Sequence, residues 1–283
     1  MKYLLIDTNI YFDFIVFRTK HNPPESLQAL ERMLNFYTAQ LIVPEIVVKE
    51  TNRHINQMVH SIGNNLKDIS ERLEKSYWLS FDEQGNKEFK KDIDDLNNSL
   101  KGIYNRFKEK ELAYLTVAKR KINGGLFKNE NSVIIPTTPQ MITNVMKRKM
   151  FKTCPFHKDT ESYGDALILE TLFDVTNSDF FDTANDKIYF VSRNEKEFAN
   201  PSNKDEFHED IVQQLEDTGL KNTIFYSRFF YKTLKEEFNV EIADAIQFEE
   251  DYYNDMIAGY GDETDLEIDE DWYYESYRDD RER

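Results

Sequence analysis

The sequence predicts an α/β protein with a central parallel sheet flanked by helices, and three observations predict it. Short apolar runs, Tyr3-Leu4-Leu5-Ile6, Gln40-Leu41-Ile42-Val43 and Ile188-Tyr189-Phe190-Val191, have the unbroken hydrophobicity of strands buried on both faces. Segments with apolar residues three and four apart separate them, as amphipathic helices require. Strands alternating with helices imply crossover connections, and crossovers imply parallel pairing.

Each element has its own justification. The first strand, residues 3–6, points at Asp7. An apolar helical start follows at Ile10–Phe17, broken at Asn22-Pro23-Pro24, and a helix is expected from about Glu25 to Tyr37 on the spacing of Leu27, Leu30, Met33 and Leu34. The second strand ends at Pro44, a residue tolerated in the first turn of a helix, and the next helix carries Val47, Val48 and Glu50 onward to His60. From about Ser61 to Lys128 the chain turns rich in Lys, Glu, Asp and Asn, with Leu66, Ile69 and Leu73 at helical spacing. That predicts a helical insertion, read as a hairpin of long helices, ended by Gly124-Gly125. Residues 129–163 read as an irregular connection around a short helix near Met141–Met150. Helices are then expected at Tyr163–Phe173 and Glu209–Thr218, a buried strand at 188–191 and a last edge strand from Thr223. Residues 1–248 thus form one main unit with an insertion at 61–128, and residues 249–283 an acidic, aromatic tail.

Composition fixes the class of molecule. With 283 residues, 40% of them apolar, and 21 Phe and 16 Tyr, the chain has ample material for one large core plus an addition. The single cysteine, Cys154, cannot pair within the chain and has no Cys or His at zinc-site spacing, which points to the reducing cytosol and away from a structural zinc. The N-terminal apolar run is too short for a signal peptide, and no stretch approaches the roughly 20 apolar residues of a membrane span. No membrane is expected as a partner.

The net charge of −17 at first argues against nucleic acid, whose phosphates call for Lys and Arg. The distribution answers the objection. Residues 249–283 hold fifteen acids against three arginines, −12 in all, which leaves −5 on residues 1–248. Local basic stretches, Lys119-Arg120-Lys121 and Lys147-Arg148-Lys149, remain to meet a phosphate backbone, and Lys147, Arg148, Lys149 and Lys152, close in sequence to Asp165, are the expected substrate contacts.

Ligands of open α/β sheets bind beyond the carboxyl ends of the strands. Asp7 ends the first strand, Glu50 lies about two turns into the helix after the second, Asp165 opens a helix in Tyr163-Gly164-Asp165-Ala166, and Ser192-Arg193-Asn194 follows the strand 188–191. Converging carboxylates with neutral oxygen donors make a site for a hard cation such as Mg²⁺ or Mn²⁺. Taken singly, each has a plainer reading: Asp7 and Asp165 as helix caps, Glu50 as a solvated helix residue. The five histidines show no paired metal spacing.

The four motifs in this order resemble the PIN-domain nucleases. The family's first acid, in an apolar strand before Thr and Asn, matches Asp7 with Thr8 and Asn9. Its second, on the helix after a Pro-Glu pair, matches Glu50 in Pro44-Glu45-Ile46-Val47-Val48-Lys49-Glu50. Its third, before Ala, matches Asp165. The fourth motif is similar to Ser192-Arg193-Asn194-Glu195-Lys196-Glu197-Phe198, with Asn194 where many relatives have Asp; either Glu197 supplies the missing charge or three carboxylates suffice. The resemblance covers about residues 1–60 and 130–240, around an enlarged middle.

It implies a PIN-like fold and a divalent-metal-dependent endonuclease, Asp7, Glu50 and Asp165 holding Mg²⁺ or Mn²⁺. Ser192 and Asn194 would orient a ligand or water, and Asn9 would stand behind the ligands. The metal lowers the pKa of a bound water and stabilises charge on the phosphate, leaving 5′-phosphate and 3′-hydroxyl ends. RNA is the favoured polymer, a toxin-like or antiviral-defence effector the implied role, and a homodimer and a regulatory protein the implied partners. Two rival readings stand beside it: a catalytically weak nucleic-acid-binding scaffold in which Asn194 has dissolved the fourth acid, and a small-molecule phosphohydrolase. The second needs an Asp-x-Asp pair after the first strand, and residue 9 is Asn. The tail has three explanations: a solvating segment, a mimic of nucleic-acid charge, or a docking segment for a partner.

Overall fold

The computed structural model describes residues 1–13, 15, 25–36, 39–75, 82–158 and 161–238. The expected break at Asn22-Pro23-Pro24 and the tail at 249–283 lie outside the described residues. Five strands form one parallel sheet in the order β3-β2-β1-β4-β5: β1 Lys2–Ile6, β2 Gln40–Pro44, β3 Ser132–Ile135, β4 Lys187–Val191 and β5 Ile224–Ser227. β1 lies at the centre, with Leu4 opposite Leu41 of β2 on one side and Tyr189 of β4 on the other. Leu4, Leu5, Ile6, Leu41, Ile42, Val43, Ile188, Phe190 and Val191 are wholly buried, because helices cover both faces of a parallel sheet.

The chain runs outward from β1 through β2 to β3 and then returns to the opposite side of β1 as β4 and β5. The strand order therefore reverses between β1 and β4, where the crevice of an open sheet lies. Ile6 pairs with Val191, and the Asp7 amide donates to the Val191 carbonyl at 2.9 Å, so the residues that follow the two strands emerge side by side.

The helices are α1 Thr8–Asp13, α2 Glu25–Asn35, α3 Glu45–Glu74, α4 Glu83–Lys119, α5 Pro139–Phe151, α6 Tyr163–Val175, α7 Glu195–Phe198, α8 Glu209–Asp217 and α9 Phe230–Glu237. Four expectations need correction. The insertion has no break at 61, since α3 runs without interruption from the sheet out to residue 74 and packs along α4 as one hairpin arm. Gly124-Gly125 does not end the arm but lies inside a π-helix, Arg120–Phe127, where the Glu31 carboxylate lies close against Gly125 and would have to move to admit a Cβ. The connection 129–163 hides the edge strand β3, whose apolar run of three, with Ile134 45% exposed, is too short to signal a strand. α9 follows β5 where no helix was expected.

Candidate active site

Four elements converge beyond the carboxyl ends of β1 and β4. Asp7, 3% exposed, accepts hydrogen bonds from the Thr8 amide at 2.6 Å and from Ser192 Oγ at 2.6 Å. The second bond joins the ends of the two strands across the switch point, and the Asn194 amide in turn donates to Ser192 Oγ at 3.0 Å. Thr8 Oγ1 donates to Glu50 Oε2 at 3.0 Å, tying the start of α1 to the second turn of α3. Asn194 Nδ2 donates to Asp165 Oδ1 at 3.3 Å. These bonds string Glu50, Thr8, Asp7, Ser192, Asn194 and Asp165 into one chain of contacts. Glu197, on α7, is 7% exposed and acts on Asp165 through its charge. Asn9 is exposed, and among the described residues its side chain makes no hydrogen bond to this network.

The electrostatics follow from crowding. The Asp165 carboxyl is enclosed, and burial pushes its pKa well above the carboxylate range, with the negative charges of Asp7, Glu197 and Glu50 adding to the push. Burial also raises Glu50; the hydrogen bond from Thr8 and the charge of Arg53 pull it down, and the charge of Asp7 pushes it up. The Tyr11 hydroxyl is raised by burial and by Asp7. A cluster of this kind needs a counter-charge, and its all-oxygen donors suit a hard divalent ion. Among the described residues no three His, Cys, Asp or Glu side chains form a ready-made ligand cage.

Two residues of this site escaped the sequence reading. Gly164 stands one residue before Asp165, and a Cβ there would strike Glu50 Oε1, so the absence of a side chain lets Glu50 reach the start of α6. Arg53 lies three residues beyond Glu50 on one helical face, a spacing that could have flagged it.

The basic stretch on α5 divides. Lys147 and Lys152 are exposed, and Lys149 holds its ammonium over the rings of Phe156 and Tyr163 at 5.1 and 5.7 Å. Arg148 contradicts the expectation of a substrate contact: it is 7% exposed, and Nε donates to Glu170 Oε1 at 2.5 Å. Two more of its five N–H groups go to the Cys154 carbonyl and Gln214, and its burial turns the guanidinium away from the surface where a phosphate would lie.

Among the described residues no helix is long and apolar enough to cross a membrane. No curated protein and no solved structure matches the chain. A family model described as PIN domain matches residues 4–198, from β1 through the acids at 7, 50 and 165 to the end of α7. With the four motifs gathered at the switch point of a five-stranded parallel sheet, this chain belongs to the PIN-domain family, a family of nucleases.

Proposed function

We propose that the chain is a divalent-metal-dependent endonuclease hydrolysing phosphodiester bonds, with RNA as its polymer. The observation that carries the reading is the meeting of Asp7, Glu50 and Asp165, with Glu197 behind them, at the carboxyl ends of β1 and β4, where burial and then the neighbouring negative charges raise the pKa of Asp165. Asp7, Glu50 and Asp165 would hold Mg²⁺ or Mn²⁺, which when bound acidifies an attacking water and offsets charge on the phosphate. Ser192 fixes the Asp7 carboxylate and Thr8 fixes that of Glu50, so both acids are oriented before substrate arrives. Asn194 donates to Asp165 and so favours its ionised form, which a neutral amide can do and a fourth carboxylate could not. Lys147 and Lys152, both exposed, would meet substrate phosphate. Cytosolic action as a toxin-like or antiviral-defence effector accords with the lone cysteine and the nuclease family. Ile103, Leu112, Tyr114 and Val117, exposed along α4, favour contact with a second copy or a restraining partner.

The test is cleavage of labelled single-stranded RNA and DNA in Mn²⁺ or Mg²⁺ by the wild type, by Asp7→Asn with Asp165→Asn, and by the wild type in EDTA. Cleavage of RNA that disappears in the variant and in EDTA is the expected result. Binding without cleavage, unchanged by the substitutions, would move the chain to the scaffold reading that Asn194 motivates.

A further inference from the structure

We propose that the base of the α3–α4 hairpin is a nucleic-acid-binding surface on which Arg53, Lys119, Arg120 and Lys121 hold the phosphate backbone of the strand that enters the acidic site. The inference rests on the nuclease reading and adds where the polymer lies. Three observations on the arm carry it.

The first is position. Arg53 stands one turn beyond Glu50 on α3, near enough for its charge to act on that carboxyl, and Arg53 is exposed. Asn52 beside it and Asn123 of the π-helix exchange amide hydrogen bonds at 2.9 and 3.3 Å, which clamps this part of α3 against the segment carrying 119–121. Ala118 packs on Ile55 and Phe12 in the same region. A strand leaving the acids across α3 therefore meets Arg53 first and the end of α4 next.

The second is unspent charge. In a chain of net charge −17, none of these four cations makes an ion pair with another described residue. Elsewhere on the arm Lys49, Lys67, Lys87 and Lys108 are matched by Glu45, Glu71, Glu83 and Glu111, while Lys90, Lys91, Lys101 and Lys110 make no ion pair among the described residues and stand earlier along α4, away from the acids. Uncompensated Lys and Arg on an otherwise acidic protein are the electrostatic footprint of a polyanion.

The third is backbone geometry. The α-helix gives way to a π-helix at Arg120, and a single extra residue per turn there re-aims the side chains that follow, a device common at functional sites. Asn123 and Gly125 pin the re-aimed segment from the other side, one to Asn52 and one against Glu31.

The experiment measures binding of a fluorescein-labelled oligouridylate by anisotropy across a salt series, with every full-length protein carrying Asp165→Asn to prevent cleavage. The parent is compared with Arg53→Gln/Lys119→Gln/Arg120→Gln/Lys121→Gln and with a charge-matched control, Lys67→Gln/Lys87→Gln/Lys90→Gln/Lys91→Gln, on the outer part of the arm. The control lysines of α4 lie about 45 Å along the helix from Lys119, at ~1.5 Å per residue. In the first variant Kd should rise at least about tenfold and the slope of log K against log salt should fall by roughly 3, at ~0.7 per lost single-strand contact. The control should keep the parent slope. Equal losses in both variants, or an unchanged slope in the first, would overturn the assignment and leave the four cations to an acidic protein segment. The nuclease reading fails separately, through cleavage that survives Asp165→Asn in the otherwise native chain.

Discussion

At the scale of single residues, the acids gathered at the candidate site also work against the fold. Burial and three neighbouring charges raise the pKa of Asp165, so its ionised form is favoured less in the folded chain than in the unfolded one. A carboxyl with a raised folded pKa lowers stability as pH rises from the ordinary carboxylate range through the raised value. His54 works in the opposite sense: burial, then Arg53, bring it down to about 4, so stability is lost as pH falls from the ordinary His range. The difference between wild-type and Asp165→Asn melting curves isolates the first effect. In EDTA the variant should melt roughly 2–4 °C higher near neutral pH, the shift that ~1 kcal/mol produces in a chain of this size, and the gap should close as pH falls. Mn²⁺ should raise Tm of the wild type and leave the variant nearly unmoved. Gly164→Ala tests geometry rather than charge, because its Cβ meets the far end of the flexible Glu50 side chain. Tm in EDTA should change little while cleavage falls roughly 10- to 100-fold, the cost of misplacing a reacting group by about 1 Å. Asp7, Glu50 and Asp165 were legible in the sequence because a family pattern named them. The hydrogen bonds that join them through Thr8, Ser192 and Asn194 were not, since they depend on strands 185 residues apart in the chain.

Among the elements, α5 shows where a local reading of charge fails. Lys147-Arg148-Lys149 reads as one basic stretch, yet on a helix successive residues point about 100° apart, and Arg148 turns inward. There it binds Glu170 of α6, the Cys154 carbonyl and Gln214 of α8, while Asn144 of α5 donates to the second Glu170 oxygen at 2.9 Å. One buried guanidinium thus fixes α5 and α8 to α6, the helix that presents Asp165. Arg148→Ala leaves Glu170, 4% exposed, without its cation and should cost about 3–5 kcal/mol in a denaturant melt. Arg148→Met with Glu170→Met removes both charges and should recover most of that loss; an equally unstable double variant would mean that packing, not the stranded charge, sets the cost. β1, β2 and β4 were readable because burial on both faces leaves an unbroken apolar signature. β5 was expected as a last edge strand from Thr223, whereas β3, at the other edge, was missed because part of it is solvated and the signature fades. The long arm was visible from composition, but its junction with the core was not, because α3 crosses from one to the other as unbroken helix, straight through Gly63.

For the molecule as a whole, the question is how a chain of net charge −17 approaches a polyanion. Residues 249–283 carry −12 of that total, and residues 1–248 only −5. Charges on an exposed protein act on an approaching polymer over about one Debye length, near 10 Å at 0.1 M salt and some 30 Å at 0.01 M. At low salt the whole −17 therefore opposes encounter, whereas at high salt only groups in contact count, among them the cations proposed at the hairpin base. Deleting 249–283 should raise the association rate for single-stranded RNA at least about threefold at low salt, through relief of long-range repulsion. The gain should vanish as salt rises, and the dissociation rate should stay unchanged, since repulsion at a distance does not alter contacts once made. Stopped-flow binding across a salt series separates this from a mimic that covers the basic surface. A covering segment must be displaced before RNA can dock, so its removal would speed association at high salt as well. An association rate that does not respond to the deletion even at low salt would show that the acidic residues stay farther than a Debye length from the path of approach.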